Sequence, residues 1–356
     1  DATPPAGREG VENRDVNGML RWDINPQHVV ELELGYSRQG NIYAGDRAVS
    51  SAGSALLSQL ANEGAETNIL TRTTTSLAHR GDWGWADSRA LFQYEGTVNK
   101  RLAEGLAGSS EGSINTETGF NTAHLNNYTL NGEINIPLEL LFPQRLTIGA
   151  EYFGENLKDP GSVAQAFSGG AIPGLDQANR PGSANAETYS AFIEDNISAT
   201  ARLTVTPGVR LAYYAIDPTG DETYPGLPGF EPEKQSNREL LTSLGAIYRF
   251  DDTYSAYASL GQGFKMPTSQ QLFQSSTDPF SGTAIVPNPS LKPESVDAYE
   301  AGVRGQFSRG YFSAGVFYSR YKNFIRSFQP TTVTDPSGNL VTAYTFDNVE
   351  DVNLYG

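Results

Sequence analysis

The residue types that carry most enzymatic and metal chemistry are scarce in this chain. It has no cysteine and only three histidines, His28, His79 and His124, which lie far apart without the spacing of metal ligands. The neighbouring acids Asp251 and Asp252 lie in a predicted turn, with no base or nucleophile at a meaningful spacing. Gly105-Leu106-Ala107-Gly108 lacks the Gly-Lys-Ser/Thr ending of a phosphate loop. We therefore expect no enzyme: no catalytic residue, no cofactor and no metal site.

Composition and charge exclude several of the remaining classes of protein. The 356 residues carry a formal net charge of -16, which argues against nucleic acid as a partner because phosphate binding needs a basic face. No run approaches the roughly 18 to 20 continuous apolar residues of a membrane-spanning helix, and the first residues lack the features of a signal peptide. Hydrophobic residues make up only 38%, yet the chain holds 37 Gly, 18 Tyr and 17 Phe. A wide β-barrel fits these values, because it needs apolar side chains only on its lipid face.

The strongest pattern in the sequence has a period of two residues. Between Tyr128 and Ile136, apolar side chains occupy even positions, such as Leu130 and Ile134, while Thr129 and other polar residues occupy the odd ones. The same alternation returns near residues 30–37, 202–211 and 239–250. These segments predict an all-β chain whose strands have one apolar and one polar face.

Thirteen strands are predicted in this way, close to residues 16–24, 27–38, 67–80, 83–100, 123–137, 144–157, 187–199, 202–216, 237–250, 253–264, 296–307, 310–326 and 342–355. Short turns alternate with long segments rich in Gly, Ser, Pro and Asn, at residues 39–66, 101–122, 158–186, 217–236, 265–295 and 327–341. Outer-membrane barrels are threaded with tight periplasmic turns and long outer loops. The alternation therefore predicts a transmembrane antiparallel β-barrel in the outer membrane of a Gram-negative bacterium.

Aromatic residues beside the short turns agree with this threading. An aromatic belt at the periplasmic interface is expected to contain Trp22, Trp83, Trp85, Phe142, Phe250 and Tyr254. The odd strand count raises a difficulty, because a single-chain barrel closes with an even number of strands. Both ends of the chain also look cut, so we expect a fragment of a larger barrel.

Several sequence motifs resemble those of the TonB-dependent outer-membrane receptors, and among them the receptors for ferric enterobactin and related catecholate siderophores. The match is close around Gly35-Tyr36-Ser37-Arg38-Gln39-Gly40, and its specific part is Asn99-Lys100-Arg101-Leu102-Ala103-Glu104-Gly105-Leu106-Ala107-Gly108. Motifs of the wider superfamily are Gly263-Phe264-Lys265-Met266-Pro267, Asn288-Pro289-Ser290-Leu291-Lys292-Pro293-Glu294 and Asp347-Asn348-Val349. The resemblance covers nearly the whole chain.

The resemblance implies a barrel of 22 strands around an N-terminal plug. Residues 1–356 would then be the central portion of the barrel, with about 13 of the 22 strands, and the plug and the C-terminal strands would lie outside it. The implied function is uptake of a ferric siderophore, energised by the TonB-ExbB-ExbD complex through the plug, with iron present only inside the ligand. Outer-membrane lipid and lipopolysaccharide are further expected partners.

A ferric tris-catecholate is a bulky aromatic trianion, so its receptor needs cations, donors and aromatic rings on outer loops. By the resemblance, ligand contacts are predicted at and beside the specific motif, at Arg101, Gly105, Gly108 and Ser109. Tyr43, Arg47, Tyr94 and Lys265 are predicted contacts because they are cations and rings at the mouths of long loops. Further cations and rings at the loop mouths are Arg38, Lys100, Tyr36 and Phe264. The loop cations could instead pair with acids or with lipopolysaccharide phosphates. A haem receptor is the alternative. Haem receptors that resemble this chain usually carry a histidine between the two superfamily motifs at 263–267 and 288–294, and residues 268–287 contain none. A passive porin is less favoured.

Overall fold

The protein is described by a computed structural model. The structure describes residues 10–42, 68–102, 120–158, 184–218, 233–273, 276–278, 283–334, 340–349 and 351–356. Among these residues, no helix is long and apolar enough to cross a membrane.

A 13-stranded sheet dominates the described residues, and each pair of neighbouring strands in it is antiparallel. Its strands, in order across the sheet, are β1 (Gly10–Asn25), β2 (His28–Ile42), β3 (Asn68–Asp82), β4 (Asp87–Leu102), β5 (Phe120–Glu139), β6 (Pro143–Lys158), β7 (Ala184–Ser198), β8 (Leu203–Pro218), β9 (Gln235–Arg249), β10 (Tyr254–Lys265), β13 (Glu294–Phe307), β14 (Gly310–Lys322) and β17 (Val352–Tyr355). The predicted all-β class and antiparallel sheet of thirteen strands are confirmed.

A second sheet and a short helix occupy segments that the sequence pattern assigned differently. They are α1 (Ser269–Phe273), β11 (Ser276–Asp278), β12 (Thr283–Ile285), β15 (Phe324–Thr334) and β16 (Leu340–Val349). The prediction of one strand over 310–326 was wrong, because Asn323 adopts a left-handed φ of 54° and separates β14 from β15. The predicted strand 342–355 is likewise divided between β16 and β17.

Short turns join the strands of the large sheet at one end. The strand predicted near residues 83–100 is β4 and starts at Asp87, since residues 83–86 form the turn between β3 and β4. Trp83 N–H donates to the Ala86 carbonyl at 2.8 Å, and Gly84 has a φ of +81°, which glycine adopts without strain. The Asp82 carboxylate accepts a hydrogen bond from Gly84 N–H at 2.8 Å. Trp83 and Trp85 therefore lie in a tight turn, and both stay exposed.

The strand register gives the large sheet one apolar and one polar face. On β5, Leu130 pairs with Phe92 of β4 and Tyr152 of β6, whereas Asn131 pairs with Leu91 and Glu151. Because neighbouring partners share a face, the alternation predicted in β5 extends across its neighbours. Large hydrophobic residues exposed on the apolar face include Leu20, Leu34, Leu77, Phe92, Leu130, Ile148, Ile193, Leu211, Leu244, Tyr299 and Val316. Proteins rarely expose an apolar surface of this extent to water, and such a surface fits contact with lipid.

The described sheet has two edges. β1 pairs only with β2, and the four-residue strand β17 pairs only with β14. Each edge presents backbone donors and acceptors to a further strand. The described residues thus form an open wall rather than a closed barrel.

Candidate ligand-binding surface

The polar face carries ion pairs that bridge neighbouring strands. Near the short turns, Glu31 of β2 lies 3.4 Å from Arg21 and 3.5 Å from Arg80, so one carboxylate joins three strands. Asp87 pairs with Arg145 and accepts a hydrogen bond from Asn135 Nδ2 at 3.0 Å. Most of these charged groups remain substantially exposed, so each pair adds little stability by itself. Together they make the polar face strongly charged near the short turns.

Aromatic rings on the polar face are covered by arginines. The Arg210 guanidinium lies 5.0 Å from the Phe192 ring centre and 3.9 Å from Glu151. Arg304 lies 4.2 Å from the centre of the Tyr257 ring, whose hydroxyl donates to Glu300 at 2.7 Å. These contacts hold the Arg210 guanidinium in mid-strand and that of Arg304 close to the short turns.

A small hydrophobic core lies at the end of the sheet opposite to the short turns. We call it the loop core; its buried members are Ala184, Ala186, Ile216, Leu272, Phe273, Leu291 and Ile325. Ala184, Ala186 and Ile216 belong to the polar face of β7 and β8, so the segments after β10 and β14 pack against that face. Helix α1 starts with a capping box, in which Gln271 N–H donates to Thr268 Oγ1 at 3.3 Å and Thr268 N–H to Gln271 Oε1 at 2.9 Å. The loop core thus fixes two connections across the mouth of the wall.

Two superfamily motifs meet beside this core. Asn348 Oδ1 accepts from Lys292 N–H at 2.8 Å, and Asn348 Nδ2 donates to the carbonyls of Lys292 and Asn323 at 3.0 and 2.7 Å. Asn288 Nδ2 donates to the Phe346 carbonyl at 2.8 Å. Asparagine suits these positions because its amide offers both a donor and an acceptor to the backbone. The motifs around residues 288–294 and 347–349 therefore have a structural role, docking one connection on the other.

Lys265 is the predicted ligand-binding residue whose position on the polar face is best defined. Its Nζ lies 3.7 Å from Glu294 Oε2, and its side chain is 63% exposed while that of Glu294 is 11% exposed. Glu294 also accepts a hydrogen bond from Ile325 N–H at 2.7 Å. Lys265 therefore projects next to the loop core with an exposed ammonium, partly balanced by a nearly buried carboxylate.

Tyr94 lies on the apolar face and not beside Lys265. It pairs with Thr75 and Tyr128, its hydroxyl donates to Asn126 Oδ1 at 2.8 Å, and its ring centre lies 5.2 Å from that of Tyr128. Tyr36 and Phe264 share the same face by register. This position argues against a contact between Tyr94 and a ligand on the polar face, and fits a tyrosine at a lipid interface.

The remaining predicted ligand residues are not brought together by the described structure. Tyr43, Arg47, Gly105, Gly108 and Ser109 lie outside the described residues. The backbone of Arg101 pairs with Asn68 and Asn121 near the end of β4, at the same end of the sheet as Lys265. Its side chain is outside the described part of the chain.

Residues 10–356 match the family model described as "TonB dependent receptor-like, beta-barrel". The chain belongs to this receptor family. Among curated relatives, it is 38% identical over 332 residues to the ferric enterobactin receptor PirA of Pseudomonas aeruginosa, covering 90% of this chain and 42% of the relative. It is 34% identical over 368 residues to the ferrienterobactin receptor of Escherichia coli K12, covering 99% of this chain and 46% of the relative. The chain therefore spans less than half the length of these relatives.

Solved structures of the family give the same likeness. A mutant ferric enterobactin receptor of Pseudomonas aeruginosa, crystallised in complex with enterobactin, matches with a TM-score of 0.76 and 33% identity, covering 100% of this chain and 50% of that one. The haemophore receptor HasR of Serratia marcescens matches with a TM-score of 0.66 at 14% identity, which shows the fold alone. The family fold is thus found in receptors whose ligands differ.

Two features of this receptor wall escaped the sequence reasoning. The sequence motif places Glu294 after Lys292-Pro293 at the start of a strand, but does not predict that its carboxylate accepts a hydrogen bond from Ile325 N–H in the neighbouring β15. His28 and His79 were treated as separate, yet their Nδ1 and Nε2 atoms lie 3.2 Å apart, and Trp83 packs on the His28 ring. Within the described residues, no group of three or more His, Cys, Asp or Glu could hold a metal ion.

Proposed function

We propose that the chain is the central wall of an outer-membrane receptor that takes up a ferric siderophore of the catecholate, enterobactin type. The observation that supports this most strongly is its 33–38% identity to ferric enterobactin receptors over nearly its full length. Iron enters only as part of the ligand in this proposal. The protein acts as a transporter and not as an enzyme, in line with its family.

The two faces of the sheet support a membrane position. The exposed apolar face suits lipid, and aromatic clusters near the short turns, such as Tyr254 with Phe307 at 5.7 Å, suit an interface. The polar face, with its bridging ion pairs, would enclose a plug that couples to the TonB-ExbB-ExbD complex. The plug and the closing strands lie outside this chain in our proposal, which makes residues 1–356 the central part of a barrel of 22 strands.

The ligand would be held at the loop end of the polar face. Lys265 supplies an exposed ammonium there, and β4 brings the backbone of Arg101 to the same end. Charge-assisted contacts to a trianionic catecholate complex are the chemistry that such cations provide. Tyr43, Arg47, Gly105, Gly108 and Ser109 remain proposed contacts from the loops. Outer-membrane lipid and lipopolysaccharide are the proposed surroundings, and nucleic acid has no part.

Binding of ferric enterobactin and of haem to the complete receptor tests the proposal. Arg101→Ala should weaken ferric enterobactin by about ten- to hundredfold, since a charge-assisted contact contributes about 1.5–3 kcal/mol. Arg101→Lys should recover part of the loss because it keeps the charge without the planar fork. Fluorescence quenching titrations would give the dissociation constants.

The control is Tyr94→Ala, which should leave the affinity unchanged because the Tyr94 side chain belongs to the apolar face. Haem is the competing ligand, supported by a haemoglobin-binding relative that is 27% identical over 33% of this chain. Tight haem binding without ferric enterobactin binding would replace the proposed substrate. Unchanged ferric enterobactin binding in Arg101→Ala would remove Arg101 from the site.

A further inference from the structure

Two adjoining cavities open on the apolar face between β4 and β8. The larger, about 630 Å³, is an apolar groove. Its floor is a row of small residues that pair across four strands: Ala90 with Gly132, Gly132 with Ala150, and Ala150 with Ala191. We call it the acyl groove. Leu130, Tyr152 and Tyr189, which pair in a row, bound it on the loop side, and Leu211, which pairs with Ala191, bounds it at β8.

The smaller cavity, about 240 Å³, lies towards the loop end of the same face and shares Tyr152 with the acyl groove. We call it the polar notch. It opens at Gly154, which has no side chain, and the Tyr152 hydroxyl lies only 2.5 Å from where a Cβ of residue 154 would be. Tyr152 therefore leans from the acyl groove towards the polar notch. Its ring centre is 4.9 Å from that of Tyr189.

The polar notch is rich in hydrogen-bond acceptors. Asn156 donates to Asn185 across its floor, Glu187 lies beside them, and Asp217 is 3.7 Å from the ammonium of Lys234. Two carboxylates and two amides thus face one cation. Carboxylate oxygens accept and do not donate when ionised, so the set favours a neutral group with many hydroxyl donors over a phosphate. Tyrosine rings at the edge give such a group an apolar surface to rest on.

The two cavities adjoin at Tyr152, and an apolar groove next to a polar notch indicates an amphipathic occupant. We propose that this part of the apolar face binds one outer-leaflet lipid, with an acyl chain in the acyl groove and a hydroxyl-rich headgroup in the polar notch. The proposal rests on the proposed membrane position, and it names a lipid class that is retained specifically among the surrounding lipids. Small floor residues allow close packing of the acyl chain, and dispersion contacts with it accumulate along the groove.

Lipid retention by the complete receptor tests this. The receptor is reconstituted in vesicles of equal parts monoglucosyl diacylglycerol and phosphatidylglycerol with identical acyl chains, extracted in detergent, and its bound lipids are counted by native mass spectrometry. Each receptor should retain one monoglucosyl diacylglycerol in preference to phosphatidylglycerol. Gly132→Leu should lower retention by about tenfold or more, equivalent to about 1.4 kcal/mol. An added Cβ at residue 132 has nothing within 4 Å, so the leucine side chain would fill the acyl groove in place of the lipid chain.

Gly18→Leu is the matched control, since Gly18 lies on the apolar face of β1 and also has nothing within 4 Å of an added Cβ; its retention should equal that of the unchanged receptor. Glu187→Gln should reduce the preference for the glucosyl headgroup, whereas Glu12→Gln on β1 should not. Equal retention of both lipids, or full retention in Gly132→Leu, would overturn the inference. Ferric enterobactin binding is measured on the same samples, so that a failure of the proposed function is seen separately.

Discussion

A charge placed on the apolar face should destabilise the receptor far more than the same charge one residue away. Leu244 of β9 lies on the apolar face, pairs with Leu260 and is 46% exposed in the sheet. Ser243 points to the polar face, where it is exposed near Gly208 and Glu194. Leu244→Arg and Ser243→Arg therefore introduce the same side chain on opposite faces of one strand.

The expected difference follows from the depth of Leu244 in the membrane. Tyr248 packs edge-on against Phe250 beside the short turn and marks the interface, four positions from Leu244. Four residues span about 13 Å at roughly 3.3 Å each, or about 10 Å along the bilayer normal after a strand tilt of about 40°. Leu244 is then near the middle of an apolar band about 25 Å tall, where an arginine costs about 2–4 kcal/mol.

Reversible unfolding of the complete receptor in lipid vesicles, followed by tryptophan fluorescence in urea, would give the free energies of unfolding. Leu244→Arg should lower this free energy by about 2–4 kcal/mol, and Ser243→Arg by no more than about 0.5 kcal/mol, because Glu194 can accept the new cation. If both variants stay within about 0.5 kcal/mol of each other, the apolar face does not contact lipid and the reasoning fails.

Three further outcomes are expected. An epitope inserted at Ser109 should be labelled on intact cells, and one at Asp252 should not; the reverse labelling would invert the threading. The isolated chain should not run as a compact heat-modifiable monomer in detergent, because β1 and β17 leave backbone groups unpaired; a heat-modifiable monomer would refute this. Glu294→Ala should increase hydrogen exchange in β15, because it removes the acceptor of Ile325 N–H at a cost of about 1–3 kcal/mol. Glu294→Gln should keep β15 protected, since its amide oxygen can still accept that hydrogen bond. Equal exchange in both variants would show that this hydrogen bond does not hold β15.

Local patterns predicted the large sheet well. The alternation from Tyr128 to Ile136 placed this part of β5 on its observed faces, because the side-chain period of a strand is two. Short turns punctuated by Pro26, Asp252 or Gly310 set the pairing of neighbouring strands in the sheet. Chain order alone then gives the antiparallel order of the sheet from β1 to β10.

Features that depend on distant contacts could not be predicted in this way. The parallel pair of β12 with β16 joins residues about sixty positions apart, and nothing in either segment specifies the partner. The break between β14 and β15 depends on the left-handed backbone of Asn323, which the alternation of the flanking residues does not indicate. Tyr94 was predicted as a ligand contact because it is an aromatic ring near a long loop, although its parity with Phe92, two residues earlier, indicates the apolar face.

Uptake of radiolabelled iron supplied as ferric enterobactin tests the central claim most directly. The complete receptor is expressed in Gram-negative cells that lack their own catecholate receptors, with and without a functional TonB. Our account predicts uptake that requires TonB and that excess unlabelled ferric enterobactin abolishes. Absence of uptake from ferric enterobactin, with TonB-dependent growth on haem, would contradict it.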